Sequence, residues 1–235
     1  MVTEFRADRT TQASKDLSPL ASGKRQRISL PRREFIGLLG GTLVALAAAR
    51  ARAQIGNKPI RIIVPFAPAG SSDVLARVLQ SPLQQRLGRT VIVENRAGAG
   101  TNIGTAEVAR AEPDGTTLLL TSSAFVVNPA LYKTIPYDPV KDFAPIAALP
   151  VAPNVIAVNA KGDIESLGEV VTRAKADPQK LNYASPGSGT TPQLMMELFK
   201  LKAGVQITNV AYNGGGPATQ ALLTGTVDLL STALP

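Results

Sequence analysis

The sequence predicts an α/β fold, and three observations carry that prediction. Beyond a basic leader, β-branched strand-like runs alternate with helix-like segments. The first such run, Ile60 to Phe66, is apolar throughout, as a strand covered on both faces of a parallel sheet requires. Hydrophobic residues make up 44% of the 235, enough to bury one sizeable core or two modest ones.

Residues 1–53 read as a leader rather than as part of the fold. They hold ten Arg or Lys against four acids, so most of the formal charge of +8 sits there and the remainder carries 15 bases and 13 acids. An apolar run ending at Ala49 spans about 15 residues, short of the roughly 20 that cross a bilayer and suited to the core of a signal peptide. Arg32 and Arg33, with Phe35 two places on, resemble a twin-arginine export signal, and an ordinary secretory signal is the alternative. Ala51-Arg52-Ala53 offers small residues for cleavage, so the exported chain starts at Gln54 and the expected location is the periplasm.

The elements follow in order. A helix is expected over Ser72–Leu87, on the spacing of Val74, Leu75, Val78, Leu79 and Leu83, with Gly88 as its stop. A strand at Thr90–Glu94, a helix at Thr101–Ala111 and a strand at Thr116–Leu120 complete a βαβαβ unit. Prolines at 129, 136, 139, 145, 150 and 153 then predict an extended connection over 128–153. A second α/β unit begins near residue 151, with strands at Val155–Val158, Leu181–Ala184, Ile207–Ala211 and Val227–Leu230. Its helices are expected at Ser166–Ala176, Thr191–Ala203 and Pro217–Leu223. The domains are thus 54–150 and 151–235.

The chain has no His and no Cys, which removes His-dependent triads, Cys nucleophiles, Cys or His metal sites and disulfides. No cofactor, metal or catalytic residue is expected, although carboxylate or Lys chemistry stays open. Scattered basic residues and few aromatics give no nucleic-acid platform. The run Ala97 to Gly104 fails the dinucleotide fingerprint because Ile103 stands where its last Gly belongs.

Two turns are candidates for binding. Pro65 to Asp73 joins the first strand to the first helix, where helix N–H groups, Gly70 and the hydroxyls of Ser71 and Ser72 can receive an anion. Ser185 to Thr191 has the same character in the second unit. Each turn also reads as a simple helix cap. Facing each other across a cleft, the pair would grip a carboxylate.

These segments resemble the Bug-type receptors of tripartite tricarboxylate transporters. The resemblance rests on Pro65–Asp73, Val91–Arg96, Gly98–Gly100, Asn102–Gly104, Pro113–Gly115, Asn128–Tyr132, Pro136–Pro139, Lys141–Pro145, Leu181–Tyr183, Tyr212 with Gly214 and Gly215, and Val227–Asp228. It implies a periplasmic binding protein of type II, two α/β lobes with a ligand cleft between them. It further implies a small organic acid ligand, held partly by backbone N–H groups, and membrane transporter subunits as partners. On this resemblance the ligand-binding residues are Ala69, Gly70, Ser71, Ser72 and Asp73 from one lobe, and Ser185, Gly187, Ser188, Gly189, Thr190 and Thr191 from the other. Ser122 and Ser123 would line a further wall, and Asp228 would meet a polar ligand group or hold a turn. Gln193 stands where the family often has His, Met195-Met196 where it has a small pair, and Asn213 where it frequently has Lys. The family also continues for roughly another domain's worth of chain, so a fragment that binds weakly or folds poorly is expected. The rival readings are a sensor of the same fold that reports to a kinase, and an exported carboxylate- or Lys-dependent enzyme.

Overall fold

The computed structural model describes residues 58–150, 152–178 and 180–234. The leader and its export signal lie outside the described residues.

Two sheets organise the chain. In the first, β1 (Ile60–Val64) is central, flanked by β2 (Val91–Asn95) and β3 (Thr117–Leu119), both parallel to it. Ile62, Ile63 and Val64 are almost fully buried, as the unbroken apolar run predicts. Helix α1 (Ser71–Leu87) packs Ala76, Leu79 and Leu83 against Ile60, Ile62 and Val64. Val74 and Val78, which helical spacing grouped with the core, instead face outward. Gly88 ends α1 with φ 60°, a left-handed conformation that glycine adopts without steric penalty. A short 3₁₀ turn at Ala99–Thr101 leads into α2 (Asn102–Ala109).

Helix α3 (Ala124–Leu131) occupies part of the stretch that proline density marked as extended. Pro129 lacks the N–H that would bond the Phe125 carbonyl four residues back. The Tyr137 hydroxyl supplies that bond instead, at 3.2 Å. Tyr137 also stacks on Phe125, with ring centroids 5.6 Å apart, and Phe143 closes the group edge-on. The helix survives its proline because a downstream side chain replaces the lost donor.

The second sheet has the order β4 (Asn154–Val158), β7 (Leu229–Ala233), β5 (Asn182–Ser185), β6 (Thr208–Ala211). Strands β5, β6 and β7 are parallel, whereas β4 runs antiparallel to β7. Helices α4 (Leu167–Ala176) and α5 (Thr191–Ala203) cover one face through Val170, Ala174 and Met196, packed on Tyr183 and Leu229. Helix α6 (Gly215–Leu223) covers the other through Ala218, Ala221 and Leu222 against Ala184 and Leu230. Each sheet with its helices forms a lobe, and both lobes belong to one unit running from Arg50 to Pro235.

Candidate functional site

The turn between β1 and α1 is held by one buried carboxylate. Asp73 accepts hydrogen bonds from the Ala69 N–H at 3.0 Å, from Asn95 Nδ2 at 2.9 Å and from Arg77 Nε at 3.1 Å. Burial pushes this carboxyl up, but the bonds from Arg77, Ala69 and Asn95 outweigh it and hold Asp73 below its ordinary value. The bond to Ala69 fixes that residue at φ 67°, a left-handed conformation that is strained for a side chain bearing Cβ. Ala99 and Thr101, the other non-glycine residues with positive φ among the described residues, lie on the neighbouring loop. Asp73 therefore shapes the turn, and its oxygens are occupied within its own lobe.

Helix α1 starts at Gly70 with no side-chain cap, and so does α6 at Gly214. Their uncapped N-termini meet. A Cβ on Gly70 would stand 3.1 Å from the Gly215 nitrogen, and one on Gly216 would overlap the Pro68 carbonyl. The Ala67 N–H donates to the Asn213 carbonyl at 2.6 Å across the lobes. Each helix start carries unpaired N–H groups and partial positive charge, so their approach creates a place for negative charge.

The sequence reading paired the β1–α1 turn with the β5–α5 turn. The structure pairs it with the β6–α6 loop, Asn213 to Gly216, and sets the β5–α5 turn against α3, across a cavity from the 98–101 loop. A cavity of about 220 Å³ lies between the lobes. Its walls are Pro65, Phe66, Gly98 to Thr101 and Tyr132 on one side, with Pro186, Gly187, Ser188, Ala211, Tyr212 and Asn213 on the other. A second, more open cavity of about 410 Å³ borders Ala67, Pro68, Ala69, Gly216, Pro217, Thr219 and Gln220. The lining of the first cavity contains no charged side chain, so its polar groups are neutral donors and acceptors.

The expected binding residues divide accordingly. Gly187 and Ser188 line the smaller cavity and Ala69 the larger, more open one, while Gly70 forms the junction with α6. Ser71 and Ser72 follow on the first turn of α1, and their hydroxyls form no hydrogen bond among the described residues. The Ser185 hydroxyl is buried on Asn209 Oδ1, Thr190 Oγ1 donates to the Gly187 carbonyl, and Ser122 Oγ accepts from the Ala124 N–H. The Gly189 N–H is taken by Gln193 Oε1 at 3.2 Å, and Ser123 meets both Gly189 and Thr191. Asp228 is not brought to the cleft. Its carboxylate accepts from the Asn182 N–H at the opposite end of β5, and Asn182 Oδ1 accepts from the Asp228 N–H in return. Among the described residues no group of three acidic side chains gathers where a metal ion could sit.

Sequence reasoning missed Tyr132, Tyr212, Asn213 and the glycine run 214–216 as parts of the cleft. A signal for the last existed, since Gly214-Gly215-Gly216 sits at a strand end before a helix just as the other two turns do.

A family model described as the tripartite tricarboxylate transporter family receptor matches residues 75–235. The chain belongs to this receptor family. A relative in the family, protein BugT of Bordetella pertussis, is 42% identical over 172 residues, covering 72% of this chain and 53% of BugT. Among solved structures, an R. palustris protein with adipate superposes with a TM-score of 0.73 at 32% identity, covering 75% of this chain and 60% of that one. MatC from Rhodopseudomonas palustris, with bound malate, gives 0.69 at 31% identity, covering 74% and 60%. This receptor chain therefore spans between about half and three fifths of the length of these relatives.

Proposed function

We propose that this chain is the solute-capturing part of a periplasmic receptor, which closes its two lobes on a small carboxylate and presents it to the membrane subunits of a tripartite tricarboxylate-type transporter. The supporting observation is the meeting of two uncapped helix N-termini, at Gly70 and Gly214, beside a cavity walled by both lobes. A hydrogen bond to a charged group contributes roughly 1.5–3 kcal/mol, and micromolar affinity needs about 8 kcal/mol. Roughly three to six neutral donors of that strength thus suffice without a cation. Gly70, Ser71, Ser72, Gly187 and Ser188 are the donors in this reading, and no chemistry on the ligand is required. The boundary near residue 151 separates the two jaws, and the leader delivers the chain to the periplasm. Adipate and malate in the two R. palustris structures make these acids the first probes.

The test is calorimetric titration of the full chain with malate, adipate and a panel of small mono- and dicarboxylates, with product analysis afterwards. Saturable binding at one site with the acid recovered unchanged is expected. A folded chain that binds none of them, or that converts one to product, overturns the reading.

A further inference from the structure

Ser123 begins α3, at the position where a serine ordinarily caps the helix by accepting an N–H bond from its first turn. Here it makes no such bond, and its backbone is already helical at φ −51°, ψ −26°. Its hydroxyl crosses to the other lobe instead, reaching the Gly189 carbonyl at 3.1 Å and Thr191 Oγ1 at 3.1 Å. A serine hydroxyl has one proton. With that proton on the Gly189 carbonyl, the Thr191 hydroxyl must be the donor into Ser123 Oγ. The preceding peptide is fixed too, because Gln193 holds the Gly189 N–H. Asn128, five residues on and fully buried, binds the Gly100 carbonyl at 2.7 Å, and its Oδ1 lies 3.0 Å from where a Cβ on Gly189 would stand.

We propose that Ser123 is a positioning residue that latches the β5–α5 turn of one lobe to α3 of the other, so that Ser123, Gly189 and Thr191 set cleft closure rather than contact the solute. Bonds between protein groups alone then favour the closed arrangement. A receptor whose competent state is populated in part binds with an affinity scaled by that fraction, so losing the latch weakens capture without touching a ligand contact. The affinity consequence rests on the carboxylate-receptor reading, whereas the latch itself does not.

The chain lacks cysteine, so Arg86→Cys on α1 and Lys175→Cys on α4 give two unique, exposed sites for spin labels. Interlobe distances are measured on the full chain without ligand. Ser123→Ala is expected to broaden the distribution toward longer distances, Thr191→Val to do so by less, and the double variant to match Ser123→Ala alone. Ser123→Thr, which keeps the hydroxyl, is expected to restore the narrow distribution. A Ser123→Ala distribution identical to that of the parent overturns the latch, as does a double variant broader than Ser123→Ala. If Ser123→Ala fails to fold, an unshifted Thr191→Val distribution is the overturning result. With adipate or malate added, Ser123→Ala should narrow again and bind about three- to tenfold more weakly than the parent, the factor expected for a lost neutral hydrogen bond. Should neither acid shift any variant while the ligand-free distances behave as stated, the carboxylate reading fails and the latch stands.

Discussion

At the β1–α1 turn one carboxylate, Asp73, organises the Ala69 backbone, Asn95 and Arg77. Its value is depressed on folding, so its contribution is present above the unfolded value of about 4 and is lost as pH falls through the lower folded value. Asp73→Asn should therefore lower stability by about 2 kcal/mol at pH 7, the scale of charged hydrogen bonds, and by progressively less as pH falls below about 4. Denaturant melts across a pH series check this. Gly100 is constrained differently, since its φ of 59° is left-handed and a Cβ would overlap the Tyr132 hydroxyl. Gly100→Ala should cost about 1–3 kcal/mol and displace Tyr132 from the cavity wall, read as a lower melting temperature and altered tyrosine fluorescence. Asp73 was legible only by its position at a helix start. Its role was not, because nothing in the spacing tells whether a carboxylate at N3 turns inward to its own loop or outward to a solute.

At the level of elements, the cleft depends on loops that approach closely enough to exclude a Cβ. Gly189, at φ 77°, would place a Cβ 3.0 Å from Asn128 Oδ1 and 3.2 Å from Leu131 Cδ1. Gly189→Ala should act as a wedge between lobes and weaken malate or adipate binding roughly tenfold, which is about 1.4 kcal/mol in a titration. Gly214, at φ 144°, would bring a Cβ to 3.0 Å from the Ala67 nitrogen, so Gly214→Ala should break the Ala67 to Asn213 hydrogen bond and speed hydrogen exchange at Ala67. Helix α5 was readable at both ends, since Pro192 suits a first turn and Gly204 supplies a left-handed stop at φ 64°. Helix α3 was not, because the donor that rescues Pro129 comes from Tyr137, a tertiary contact. Strand β7 runs later than the apolar run at 227–230 suggested, because Asp228 and Asn182 cap the strand starts with reciprocal hydrogen bonds.

For the whole molecule, alternation of strands and helices foretold two α/β lobes, and the quoted motifs pointed to the receptor family that the family model and relatives bear out. Which turn meets which across the cleft was beyond that reading. Strand order places β6 at the edge of its sheet, where its loop reaches Ala67, and spacing along one chain does not encode that meeting. In the proposed receptor, turns from both lobes close on one small acid. Hydrogen exchange of the full chain with and without saturating malate or adipate tests this most directly. Slowed exchange is predicted together at residues 67–72, 186–189 and 213–216, and protection confined to the turns of a single lobe would rule out two-sided closure.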